Sequence, residues 1–190
     1  MFYRESKKGM MLEEGINEAG AFSAWLALAT SYSNNLLPMI PFYIFYSMFG
    51  FQRIHDLAWA AGDSRAKGFL LGATSGRTTL NGEGLQHQDG HSHIMAGTIP
   101  NSRSYDPCFS YELETIISEG IEDMYVKNND RYYYITLMNE NYIHPKRPKN
   151  ATPENIMKGA YCYFKAKKPD FRVLASGLTL NFALDAKNKL

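Results

Sequence analysis

A chain of 190 residues, 45% of them hydrophobic, is long enough for one ordinary domain with a sizeable core and a remainder. A net charge of +1 and a pI near 7.7 supply no field that would recruit nucleic acid or an anionic membrane, so neither is expected as a partner. The two cysteines, Cys108 and Cys162, lie far apart without paired spacing, which suits free thiols in a reducing cytosol rather than a disulfide scaffold.

The N-terminal MFYRESKKGMM lacks the continuous apolar core of a signal peptide, so a cytoplasmic location is expected. Glu13 to Tyr32 carries Ile16, Ala19, Phe22, Leu26 and Ala29 at helical steps, with Trp25 and Leu28 widening the stripe; the spacing predicts one helix buried on most sides. Glu13 and Glu14 suit the dipole at its start. Glu18 falls deeper in the apolar run, where a carboxylate must be paired, hydrogen-bonded or protonated, and this makes it a candidate site residue. Pro38 to Tyr46 is rich in β-formers and predicts a buried strand. A helix follows from Ser47, with Phe51, Ile54, Leu57 and Ala58 in register and an end at Gly62 and Asp63. Tyr46 and Phe49 fall at the carboxyl edge of that strand, where open α/β sheets place ligands.

Lys67 to Thr74 predicts the next strand and delivers Ser75 to His93, SGRTTLNGEGLQHQDGHSH, at its end. Gly76, Gly82, Gly84 and Gly90 permit close backbone approach, and His87, His91 and His93 titrate near neutral pH or bind metal. With Asp89 these histidines are competent zinc ligands, but no helix or CxxC knuckle fixes their spacing and Gly90 interrupts a helical face; no metal set is assigned. Ile94 to Pro100 reads as a strand. Phe109 to Tyr125 reads as a helix with Glu112, Glu114, Glu119, Glu122 and Asp123 on its wet face. Arg131 to Met138 is a strand, and its alternation with helices predicts an α/β fold with a mainly parallel sheet and helices on both faces. His144 to Pro153 suits a solvated linker. Glu154 to Gly159 predicts a short helix, then Tyr161 to Lys165 and Phe171 to Ala175 two strands, then an amphipathic tail.

The words TSGRTTLNGEGLQHQDGHSHI, EEGINEAGAFSAW, NLLPMIPFYIFYSMFGFQRIHDLAWAAGD and RYYYITLMNENY closely resemble the homodimeric-type pyruvate dehydrogenases, decarboxylating components of a multienzyme complex within the transketolase-like superfamily. The resemblance implies a thiamine diphosphate-binding fold, with residues 1–150 as the pyrimidine-binding middle domain and 151–190 as the start of a C-terminal domain. It implies that Glu18 is catalytic and hydrogen-bonds a pyrimidine nitrogen of the cofactor, that Phe49 packs against the aminopyrimidine and that Tyr46 lies beside the substrate. His87 becomes a catalytic candidate whose proton affinity Glu83 and Asp89 could tune; after it stands Gln88, where the family carries an acidic residue. Nothing in the chain matches the family's Gly-Asp-Gly to Asn stretch, so the ligands of magnesium and the diphosphate are expected elsewhere, and the chain alone is expected to be inactive. The implied partners are pyruvate, the lipoyl domain of the acetyltransferase component, and a second subunit or the missing diphosphate-binding domain. The alternative is a non-catalytic interaction module or a split subunit that keeps the fold.

Overall fold

The structure is a computed structural model that describes residues 6–73 and 83–189. Four strands, β1 (Phe42–Tyr46), β2 (Phe69–Ala73), β3 (Ser102–Tyr105) and β4 (Tyr132–Thr136), form one parallel sheet in the order β1-β2-β4-β3. The helices are α1 (Glu18–Ala29), α2 (Ser31–Asn34), α3 (Ser47–Asp63), α4 (Ser92–Ala96), α5 (Ser110–Ile121), α6 (Pro153–Met157) and α7 (Thr179–Lys189).

Side-chain alternation along β2 and β4 builds the two cores. Leu70, Tyr132 and Tyr134 point to one face and meet Phe22 and Trp25 of α1 and Phe51, Ile54 and Ala58 of α3. Phe69, Leu71, Tyr133 and Ile135 point to the other and meet Tyr111 and Ile116 of α5, Met124 in the turn that follows it, and Ile156 of α6. The connections explain this division. The paths β1 to β2 and β2 to β3 advance across the sheet in one direction, whereas β3 to β4 steps back; with right-handed crossovers, α3 and α4 must cover one face and α5 the other. The predicted mixed α/β architecture is therefore present, with a fully parallel sheet.

Several boundaries differ from the sequence expectation. The first helix begins at Glu18, because Asn17 caps it by accepting from Gly20 N at 3.1 Å. Glu13, Glu14 and Ile16 lie in exposed chain before it, so Glu18 occupies the first turn instead of sitting deep, and only Phe22, Trp25 and Ala29 of this helix are buried. β1 is an edge strand rather than a buried one: Phe42 is 46% and Ile44 63% exposed. Residues 94–100 form no strand. Asp89 accepts from the N–H groups of His91 and Ser92, launching α4, and the buried positions Ser92, Ala96 and Ile99 recur at helical steps.

Glu112 is not on a wet face. It is buried and its Oε2 accepts from Cys108 N and Phe109 N while Oε1 accepts from Tyr161 Oη. The runs 161–165 and 171–175 are not strands; Tyr161 and Tyr163 instead pack on the α5 face, and a short hairpin without a sheet to join has little stability of its own. Both cysteines are free thiols: Cys162 is exposed, while burial and then the Glu112 carboxylate push the Cys108 thiol up to about 12.

Candidate active site

The carboxyl end of β1 is where the candidate residues meet. Tyr46 is the last residue of β1, and Phe49 lies in the first turn of α3 directly after it, their ring centroids 5.5 Å apart. His87 arrives from the far side on a single 3₁₀ turn, Leu85–His87, which follows Gly84 at φ +87°, a left-handed conformation that favours glycine. Its ring stands edge-on to Phe49 at 5.4 Å and lies 5.9 Å from that of Tyr46. The Tyr46 hydroxyl is 3.0 Å from His87 Nδ1 and 3.3 Å from the His87 carbonyl oxygen. Burial, assisted by the Glu83 carboxylate, raises the Tyr46 hydroxyl above its ordinary value, which keeps it a neutral donor. Tyr46 thus occupies the Nδ1 side of the ring, and Nε2 has no partner among the described residues.

Glu18 joins this group through a residue that the sequence reading passed over. Arg53, one helical turn beyond Phe49 on α3, pairs with Glu18 Oε1 and lays its guanidinium carbon 5.3 Å from the Phe49 ring centroid. The i, i+4 spacing of Phe49 and Arg53 on one helix was the available signal. Glu18 is largely covered, with 18% of its side chain exposed. Burial, with the carboxylates of Glu18 and Glu14, pushes the Tyr43 hydroxyl up to about 12, so a second polar group of β1 is also held neutral beside Glu18. A carboxylate has lone pairs on both oxygens; Arg53 takes Oε1, and Oε2 has no partner among the described residues.

The three histidines do not converge. Glu83 Oε2 is 3.6 Å from His87 Nδ1, His91 Nε2 lies 2.8 Å from Gln52 Nε2, and His93 Nε2 lies 2.9 Å from Thr136 Oγ1 at the end of β4. Asp89, expected to tune His87, turns away to bind Ser92, whose hydroxyl in turn accepts from Tyr134 Oη at 2.8 Å. Burial pushes Asp89 up, but hydrogen bonds from Ser92 and His91 outweigh it and leave the carboxyl below its usual value. Burial holds His93 below its ordinary value against the opposing pull of Asp106 and Asp89. Among the described residues no three His, Cys, Asp or Glu side chains come together as a metal-ligand set. The glycine-rich stretch 74–82, including Thr74, Ser75, Gly76 and Gly82, lies outside the described residues.

The architecture places the chain in the transketolase-type class of α/β folds. Among solved structures it is similar to a transketolase from Campylobacter jejuni (TM-score 0.66, 19% identity, 86% of this chain and 24% of that one) and to a transketolase variant from Pichia stipitis (TM-score 0.64, 18% identity, 78% and 20%). The description of the pyruvate dehydrogenase E1 component middle domain matches residues 1–145, and the chain belongs to that family. It is 61% identical over its whole length to the pyruvate dehydrogenase E1 component of Pseudomonas aeruginosa and 58% identical over 97% of its length to that of Escherichia coli. In these two comparisons the chain spans 22% and 21% of the relative, about a fifth of its length.

Proposed function

We propose that the chain forms the pyrimidine-holding half of a thiamine diphosphate site in a pyruvate dehydrogenase, with residues 1–150 as the middle domain and 151–190 as the opening of the next. The observation that carries this reading is the contiguity of Glu18, Arg53, Phe49, His87 and Tyr46, drawn from α1, α3, β1 and the turn after Gly84 into one group at the carboxyl edge of the sheet. The donor set fits an aminopyrimidine: an aromatic wall from Phe49 and a carboxylate with one open oxygen to meet a ring nitrogen. When bound, thiamine diphosphate supplies the nucleophilic carbon and the electron sink for loss of carbon dioxide from a 2-oxo acid.

Glu18 holds or shares a proton at the ring nitrogen through Oε2, while Arg53 fixes its orientation through Oε1. Tyr46 orients His87 through Nδ1 and leaves Nε2 open to hydrogen-bond pyruvate bound beside it. Magnesium and the diphosphate would be held by residues beyond this chain. The two-carbon unit left by decarboxylation would be oxidised to acetyl by the disulfide of a lipoyl domain of the acetyltransferase component, one sulfur taking the acetyl group and the other becoming a thiol, within an assembly that includes a second subunit, in the cytoplasm. Supplying a diphosphate-binding domain in trans and measuring carbon dioxide release from pyruvate tests the reading. Turnover that needs both pieces and collapses in Glu18→Gln is expected; an assembled complex with no turnover would instead identify an interaction module.

A further inference from the structure

On the opposite face of the sheet from Glu18 and His87, a cavity of about 330 Å³ opens between β3, the start of β4 and the π-helical turn that ends α5, Glu122–Val126. Arg103, Lys127 and Arg131 line it together with Glu119 and Asp123. The acidic partners do not balance the cations. Asp123 is already engaged, since it accepts from Tyr133 Oη at 2.8 Å and Asn129 Nδ2 at 2.7 Å and pairs with Arg131 Nε at 3.3 Å. Among the described residues Asp123 is the one ion-pair partner of Arg131, met at Nε. The side chains of Arg103 and Lys127 make no hydrogen bond or ion pair among the described residues. The hydroxyl of Tyr105 on the cavity floor donates away, to the Met157 carbonyl at 2.9 Å. The lining therefore holds spare guanidinium and ammonium donors around a concavity, with Glu119 the one carboxylate left to oppose them.

We propose that this cleft binds a small phosphate-bearing anion, gripped by Arg103, Lys127 and the unused nitrogens of Arg131. Planar guanidinium forks suit a phosphoryl group's oxygens, and the cavity admits a ligand larger than the ion alone. The site lies on the α5 face, so it is independent of the cofactor reading.

Calorimetric titration of the chain with inorganic pyrophosphate at low ionic strength tests the proposal. Saturable binding that weakens with added salt is expected. The double variant Arg103→Gln, Lys127→Gln should bind about tenfold or more weakly, and Glu119→Gln, which removes the opposing charge, should bind about threefold more tightly. All three positions are at or near the surface, and unchanged circular dichroism would show that the variants fold. Absence of saturable binding, equal affinity in the double variant, or weaker affinity in Glu119→Gln would overturn the site. So would binding by the chain that disappears in a protein of the relatives' full length, because the face would then be covered.

Discussion

Glu18 offers the sharpest test at the scale of single residues. Glu18→Gln keeps the shape but cannot share a proton with a ring nitrogen, so turnover of the assembled enzyme should fall by roughly two to four orders of magnitude while the thermal midpoint barely moves. Near-normal turnover would remove Glu18 from the mechanism. His87→Ala should lower kcat more than cofactor affinity, since its open Nε2 is assigned to substrate; titration of cofactor against steady-state rates separates the two. Asp89 makes a different prediction, about stability. Its carboxyl is depressed in the folded state, so its contribution is complete above the unfolded value of about 3.9 and is lost as pH falls through the lower folded value. Asp89→Asn should therefore destabilise the protein at neutral pH and flatten its acid-unfolding curve. Glu18, Tyr46, Phe49 and His87 were legible because long sequence words carried them. Arg53 was less so: its i, i+4 spacing from Phe49 is a weak local signal, and its pairing with Glu18 on another helix leaves none.

At the scale of elements, strong periodicity served well and polar exceptions did not. α3, α5, β2 and β4 follow their apolar repeats closely. The start of α1 was read too early because Ile16 fits the helical stripe by spacing yet is 96% exposed, and the capping oxygen of Asn17 decides the boundary instead. Residues 94–100 read as a strand for a related reason: three side chains of a short amphipathic turn look like one unless the turn held by the Asp89 carboxylate before it is seen. Glu112 shows the limit of reading faces. Its carboxylate closes the N-terminus of α5 and also receives Tyr161 from beyond α6, tying residues 161–163 to the sheet. Glu112→Ala leaves two buried N–H groups without acceptors and should cost about 2–5 kcal/mol, and a double-mutant cycle with Tyr161→Phe should show coupling. Additive losses in chemical denaturation would mean that the tail docks independently.

For the molecule as a whole, β1 leaves an edge open and a run of apolar side chains around it. Leu36, Leu37, Ile40, Phe42 and Ile44 are 44–88% exposed, a concentration that marks an interface or an aggregation site. The chain alone should self-associate at high concentration, and Ile44→Lys, which places a charge on the open face without touching either core, should shift light scattering toward monomer. A wild-type chain that stays monomeric would show this edge to be self-sufficient.

The strand order also dictates a sequence of events in time. β2 and β3 do not pair; they join one sheet only when β4, made last of the four, enters between them and pairs Tyr133 with Phe69 and Tyr132 with Ser102. Until residues 132–136 have left the ribosome, β2 lacks its second partner and β3 lacks any, and the three consecutive tyrosines that fill both cores have not arrived. Closure of the sheet is thus a late, long-range step, the kind that sets a slow folding rate. Ile135→Val should accordingly slow refolding more than it speeds unfolding.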